Sequence, residues 1–475
     1  MGLGMERKQV AMIAVLLAGV FVAVLNATLL NPALPTIMED LHIASTTVQW
    51  LTSGYALVEA VVIPFSAFLM GRLSTRQLYM GGLTLFLLGS VLAALAPVFP
   101  LLLVGRILQA SATGAMLPMV SSVVILIFPR EKRGSAMGIV GLLIGFAPAI
   151  GPTLSGIIVD RFGWKFIFVI VATITLIILL TASFTLKNYG QFKRTTFDPL
   201  SACLSTLGLL GLLYGLSSFS SSDNYLLTGG LVVVGLIFLG IYIYRQLHME
   251  SPMLRIEILK VRNYRIVVTL VMIFMAGLIG LGTIMPLYIQ NVLGHSATVS
   301  GLTLLPGALV GGFVGLLAGR IFDRFGVRVP VLIGATVLTI GAIGYFLFQV
   351  DSPIFYVSAV YTVMVIGLQF TITPLNTWGV NSLPNDVIQH AQSTSNTLNQ
   401  VAGSFGTALL VSIAAAVSSA VTNTNVVEKT FTGYHASFTT TSVLVILAVI
   451  VILVFVRDRK KKDTSSVVKE VLGDD

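Results

Sequence analysis

Charge is scarce in this sequence. Asp, Glu, Lys and Arg make up 10% of its 475 residues, against about 25% in a soluble domain. Such a chain cannot cover a water-facing surface, which excludes a soluble domain with an enlarged core. Cysteine is almost absent: Cys203 stands alone in an apolar segment, so there is no disulfide framework and the redox compartment is not legible. The five histidines, at 42, 248, 295, 390 and 435, fall near helix ends or loops, without the spacing of metal ligands. No phosphate-binding P-loop and no nucleophile–base set occurs. No enzyme, no metal and no resident cofactor is expected. A sensor or receptor is not expected either, because no soluble signalling segment is present. The residue alternation of a membrane barrel strand is missing too.

Long apolar runs are abundant. The chain is 56% hydrophobic with a mean hydropathy of +0.95. Stretches of about 20 apolar residues, each able to cross a bilayer as a helix, recur along it. Fourteen spans are read, near 10–37, 46–70, 78–96, 99–127, 135–159, 164–186, 199–217, 225–245, 265–290, 299–318, 329–349, 353–377, 394–420 and 437–456. The first is too long for a cleavable signal peptide and has no small-residue cleavage site. If the N-terminus is cytoplasmic, 24 of the 28 basic residues fall on the cytoplasmic side. The net charge of +9 thus reflects topology, not nucleic-acid binding, and both termini are expected inside a bacterial plasma membrane. The tail "RDRKKKD" from Arg457 is read as an anchor that also touches anionic membrane lipid.

The sequence repeats itself. "GRLSTR" from Gly71 follows the second span and "GRIFDRFGVR" from Gly319 follows the tenth, 248 residues on. Asn31–Pro32 near the end of the first span is matched by Pro286 in the ninth, and the Gly/Pro-rich fifth span by a Gly-rich thirteenth. This divides the chain into a six-helix half (1–197), two inserted helices (198–245), a second six-helix half (246–456) and a basic tail (457–475). Two such halves with a site at the midplane between them is transporter architecture. The expected fold is all-α and integral to the membrane, with 14 transmembrane helices, and a monomer is expected.

Two formally charged side chains lie deep inside these spans: Glu59 in the second and Arg106 in the fourth. A charge at the bilayer centre costs about 2.5–3.5 kcal/mol on insertion scales, so such residues face a cavity or a partner. Glu59 is either a neutral packing acid or structural partner of Arg106, or else a group that carries a proton and attracts cations. Desolvation favours its neutral form, and a nearby Arg106 its charged one. Arg106 is either a hydrogen-bond donor tethering helices or part of a coupling network. Thr52, Tyr55, Glu59 and Ser66 share a helix face. Arg106, Gln109 and Thr113 form a stripe in the fourth span, Gln369, Thr373 and Asn376 one in the twelfth, and Asn396, Gln400 and Gly403 one in the thirteenth. Such polar stripes from both halves imply a common wet cavity, in which Tyr55, Gln109, Thr113, Gln369, Thr373, Asn376, Asn396 and Gln400 are candidate substrate contacts. Asn26 is a candidate for an interhelical hydrogen bond or for the same cavity. Asp160, near the outer end of the fifth span, is a weaker acid candidate. Asp323, beside Gly319 and Arg324, is placed to accept hydrogen bonds from arginines or helix N-termini and so to latch the inner side. The bland alternative is a solvated turn that only sets topology.

With these motifs in order, the chain resembles the major facilitator superfamily, in its 14-helix drug:proton antiporter branch (EmrB/QacA type). The resemblance covers about Val10 to Val456. It rests on "LNATLLNPALP" from Leu25, "VQWLTSGYAL" from Val48 and "GRILQASATGA" from Gly105. It rests equally on "GFAPAIGPTLSGIIVDRFGWKFIF" from Gly145 and "MPLYIQNVLGHSATVSGLTLLPGAL" from Met285. It implies proton-gradient-driven export of small amphipathic, often cationic drugs by alternating access. It also implies that Gly145, Pro148, Gly151 and Pro152 belong to the antiporter signature that closes the outer side. Two departures stand out. Many members have an aspartate, the usual proton carrier, where this chain has Asn26, although a sub-branch resembling lincomycin-resistance exporters reads L-N-x-T-L-L-N there. The first loop has Thr75 where the second copy has Asp323. A lipid or glycolipid flippase, or a nutrient facilitator on the same fold, is the alternative.

Overall fold

The first apolar run breaks where its prolines stand. In the computed structural model α1 (Arg7–Leu29) gives way to a 3-10 turn (Asn31–Ala33) and then to α2 (Leu34–Asp40). Pro32 and Pro35 sit at the starts of the turn and of α2, where a missing backbone donor costs least. The structure describes residues 7–188, 198–219, 225–249, 252–421 and 425–456. The basic tail, Lys193, Arg194 and the loop around Ser221 lie outside them.

The remaining helices are α3 (Ser45–Val48), α4 (Trp50–Arg72), α5 (Thr75–Leu95), α6 (Phe99–Ile127), α7 (Arg133–Phe162) and α8 (Lys165–Thr185). After them come α9 (Pro199–Phe219), α10 (Tyr225–His248), α11 (Arg262–Asn291) and α12 (Ala297–Phe325). The chain ends in α13 (Arg328–Phe346), α14 (Ile354–Asn381), α15 (Ile388–Ala420) and α16 (Val426–Phe455). No strand occurs among the described residues. Among the described residues thirteen helices are long and apolar enough to cross a membrane, counting Lys8–Asp40 as one. The fifth expected span falls in α7, a 30-residue helix that is not among the thirteen; several of its side chains, including Pro148 and Pro152, lie outside the described set. Each expected span is helical, the first divided by the turn at Asn31–Ala33 and the second between α3 and α4. The largest miss is α16, expected from 437 and beginning at Val426; α15, expected from 394, begins at Ile388. Its first turns are polar, yet Gln392 and Ser393 are buried by neighbours rather than by lipid.

One apolar cluster draws on residues from Met12 to Leu186, a second on residues from Val267 to Val456. We refer to α1–α8 as the first bundle and α11–α16 as the second; α9 and α10 form a hairpin between them. The bundles meet along two seams. In one, α7 packs against α12 and α14; in the other, α4 packs against α15. The α7–α12 contact is close because it is made by glycines. A Cβ on Gly138 would lie 2.8 Å from the carbonyl oxygen of Gly315, and one on Gly319 would collide with that of Gly134. Small residues give membrane helices this backbone approach.

Arg72, Arg130, Arg133, Arg320 and Arg324 gather at one end of the bundles, called here the basic end. Two turns there use local chemistry. Ser74 and Gln77 form a reciprocal capping box that starts α5. Gly326, at φ 80°, ends α12 in the left-handed region that glycine enters freely.

Candidate functional site

The structure distributes the expected site residues over four places. The first is a polar network buried inside the first bundle. Arg106 and Gln109 are three residues apart on α6, so they share a face, and both are fully buried. Asn26 Nδ2 donates to Gln109 Oε1 at 3.1 Å, and Arg106 Nη1 donates to the same oxygen at 3.0 Å. Gln109 Nε2 donates to Ser90 Oγ at 2.9 Å, which donates to the Phe86 carbonyl at 2.8 Å. Arg106 also donates to the carbonyls of Leu51 (3.2 Å) and Asn26 (3.3 Å). Its guanidinium lies 4.2 Å from the centroid of the Tyr55 ring, a contact worth about 2 kcal/mol when desolvated. Tyr55 OH and Thr113 Oγ1 are 2.7 Å apart.

This network is built for an amide at position 26. Asn26 must donate through Nδ2 for Gln109 Oε1 to receive its two hydrogens; an ionised aspartate is an acceptor only. Two atoms, Asn26 Oδ1 and Arg106 Nη2, have no protein partner among the described residues. Tyr55, Gln109 and Thr113 are buried and engaged within the first bundle in this state.

The second place is the α4–α15 seam. Ser66 and Ser393, both buried, are 2.7 Å apart across it. Glu59 lies two turns from Ser66 on the same face of α4. Gln400 lies two turns from Ser393 on the same face of α15, and the two helices run in opposite directions. Glu59 and Gln400 therefore stand at matching depth. Asn396, one turn nearer Ser393, has a buried Nδ2 without a partner among the described residues. Glu59 is partly exposed. Three ion pairs occur among the described residues and none includes Glu59. The direct Glu59–Arg106 pair considered from sequence is thus not made here; the two interact electrostatically at longer range.

The third place is the other seam, where Gln369 and Thr373 of α14 face glycines. A Cβ on Gly315 would lie 3.2 Å from Gln369 Oε1, one on Gly145 3.9 Å from Gln369 Nε2, and one on Gly141 3.6 Å from Thr373 Oγ1. Phe146 and Phe313 meet edge to face across this seam with centroids 6.1 Å apart. Asn376, a turn from Thr373, is partly exposed. Gly151 packs against α1: a Cβ there would collide with Thr28 and lie 3.6 Å from Leu25 Cδ1. Asp160 is exposed and is not brought to any of these places.

The fourth is the basic end. The Asp323 carboxylate accepts from Gly134 N and Ser135 N, each at 2.8 Å, and from Ser135 Oγ at 2.5 Å. It thereby caps the N-terminus of α7 from α12, joining the two bundles. Free backbone N–H groups and the helix dipole make this a site for an anion. Arg133 reinforces it, donating to Asn381 Oδ1 (3.2 Å) and Asn385 Oδ1 (2.9 Å) of the second bundle. Arg324 contributes no ion pair to this latch among the described residues; its guanidinium lies 5.2 Å from the Phe325 ring centroid. Sequence reasoning missed Ser90, Ser393, Arg133 and Ser135. For Ser135 a signal existed: "RGS" opens a helix after Pro129, where unpaired N–H groups await an acceptor.

Comparison with known proteins adds a lineage. The family model described as Major Facilitator Superfamily matches residues 16–407. The chain is 41% identical over 436 residues to the uncharacterized MFS-type transporter YcnB of Bacillus subtilis (strain 168), covering 91% of this chain and 92% of that one. It is 36% identical over 410 residues to the lincomycin resistance protein LmrB of the same organism, covering 85% of each. Among solved structures it is similar to the proton:xylose symporter XylE, with a TM-score of 0.64 at 14% identity, over 94% of this chain and 96% of that one.

Proposed function

This chain belongs to the major facilitator superfamily, and we propose that within it the protein is a proton-coupled exporter of amphipathic, often cationic compounds, of the fourteen-helix antiporter kind. The basic end lies in the cytoplasm of a bacterial cell and the proton gradient supplies the energy. The observation that carries this reading is Glu59. It is a carboxylate at mid-span, on the face of α4 turned to the seam between the bundles, with no ion-pair partner among the described residues. A group so placed can take up a proton or a cation from the seam and give it up when the seam turns to the other side. The relatives named for lincomycin and multidrug resistance support an exported drug as the cargo. Arg106 supports the coupling role because it is a buried cation held by neutral groups alone. Its Nη2, which has no partner among the described residues, is available to the carboxylate once charged. Asn26, unable to titrate, orients Arg106 and Gln109.

The test is a drug-susceptibility panel in an efflux-deficient bacterium, paired with proton release from proteoliposomes. Glu59→Gln is expected to abolish uphill, proton-dependent export, a loss of at least about 100-fold by analogy with removing a proton-transfer group. Binding of uncharged substrates is expected to persist. Full proton-dependent export by Glu59→Gln would remove the role from this residue. Wild-type protein that moves lipid or sugar without proton release would favour a flippase or facilitator.

A further inference from the structure

The α9–α10 hairpin has no counterpart in either bundle, yet it lies across both. Leu209 and Leu213 of α9 form a buried cluster with Leu57 and Ala60 of α4, which Val401 of α15 also joins. Trp50 of α4 stacks on Tyr214 of α9 with centroids 5.8 Å apart. Nearer the basic end, Ala202 packs with Phe68 of α4 and with Met253.

The two attachments differ in kind. Toward α4 the described contacts are apolar or aromatic. Toward the second bundle the hairpin has an apolar contact at Val401 as well, and in addition a short chain segment that hydrogen-bonds to the hairpin's base. Asp198 receives Arg245 Nε at 2.8 Å and Nη2 at 3.2 Å, closing the hairpin's base. Gln246, buried, donates to Ser201 Oγ at 2.8 Å and accepts from Leu254 N at 3.0 Å. The chain then enters the 3-10 turn Ile256–Lys260. Ile258 of that turn is buried with Tyr264, Val387 and Ala391 of the second bundle.

We propose that the hairpin is a strap that moves with the second bundle and slides over α4 when the bundles rock. Apolar surfaces can shear past each other in small steps, whereas the Gln246–Leu254 hydrogen bond would have to break for the hairpin to leave the second bundle. Leu57, Ala60 and Val61 lie about 100–160° around α4 from Glu59 at 100° per residue. The strap therefore covers the lipid side of the α4–α15 seam, opposite the face that carries Glu59. It keeps acyl chains out of the seam while α4 moves. This inference rests on the alternating-access reading above.

Two cross-links in the full-length protein, with Cys203 replaced by serine, test it. Trp50→Cys with Tyr214→Cys joins the strap to the first bundle, and Leu213→Cys with Val401→Cys joins it to the second. Each pair is bridged by a short bifunctional methanethiosulfonate and released by reductant. The readouts are export and hydrogen exchange at the Gly134 and Ser135 amides, which open only when the basic end opens. The 50–214 link is expected to slow that exchange at least about tenfold and to stop export, both recovering on reduction. The 213–401 link is expected to change neither by more than about twofold. Arrest by the 213–401 link, or an inert 50–214 link, overturns the strap. Should the 50–214 pair fail to insert, Leu57→Cys with Leu209→Cys takes its place. Exchange needs no substrate, so a chain that moves but exports nothing decides the strap while removing the export reading.

Discussion

The loop after α12 and the loop after α4 occupy corresponding places 248 residues apart, but their chemistry differs. After α12, the Asp323 carboxylate reaches into the first bundle and caps α7. After α4, the corresponding residue is Thr75, and Ser74 beside it turns inward to cap its own helix α5. Where a second latch onto α15 would lie there is instead a small cavity lined by Met70, Leu73, Thr75 and Gln389, among others. Two copies of one motif on a pseudo-symmetric frame thus make one charged tie, not two. The carboxylate makes the difference, because the N–H groups of a helix N-terminus bind an anion strongly and a hydroxyl weakly.

The largest effect on this comparison is expected from Asp323→Asn. An amide keeps one acceptor but loses the charge, and it leaves at least one of the Gly134 and Ser135 donors poorly matched. Losing one charge-assisted hydrogen bond of this kind costs about 2 kcal/mol, roughly a 30-fold shift toward an open basic end. Exchange at the α7 N-terminal amides should accelerate by about that factor, and export should fall while expression and membrane insertion hold. Unchanged exchange and export would reduce the loop to a topology signal.

Thr75→Asp is the reciprocal change and should act more weakly. It places a carboxylate beside the start of α15, in a cavity with room for it, and helix-dipole effects of about 0.3–1 kcal/mol predict a two- to fivefold slowing of opening. Exchange in the first turn of α15 is the measurement. Faster exchange there would mean that the two loops do not correspond in function, whatever their spacing.

The unequal gates were half legible in the sequence. The missing acid at 75 and the acid at 323 are visible as letters, and a helix N-terminus is a known home for a carboxylate. Which helix Asp323 would cap is not a local property: Gly134 lies 189 residues away. The spans were legible because lipid imposes length and apolarity on each helix separately. The polar start of α15 was not, because its burial comes from neighbours. Arg106 and Gln109 were readable as a stripe. Their direction is less so: spacing alone points the stripe at a cavity, whereas it faces Asn26 and Ser90 within one bundle. Glu59 is legible as an acid at mid-span, but its distance from Arg106 depends on side-chain geometry that spacing does not fix.

The smallest expected effect belongs to a carboxylate that ties nothing across the bundles. Asp198 is bound by Arg245, Ser201 Oγ and Leu200 N within the hairpin and its base. The Arg245 hydrogen bonds hold its carboxyl below the usual range, at about 2, with Ser201 and Leu200 adding to the effect against its partial burial. A depressed value in the folded state means that its stabilising contribution is full above the unfolded-state value near 4 and is lost as pH falls toward 2. Asp198→Asn should therefore lower the melting temperature by roughly 1–2 °C at pH 7, in the range of partly exposed ion pairs. The gap from the parent should stay constant down to about pH 4 and close between about 4 and 2. Export should stay within about twofold of the parent, since this pair opens no gate. A loss of export as deep as that of Asp323→Asn, without a matching loss of stability, would show that crossing between the bundles is not what makes a carboxylate matter here.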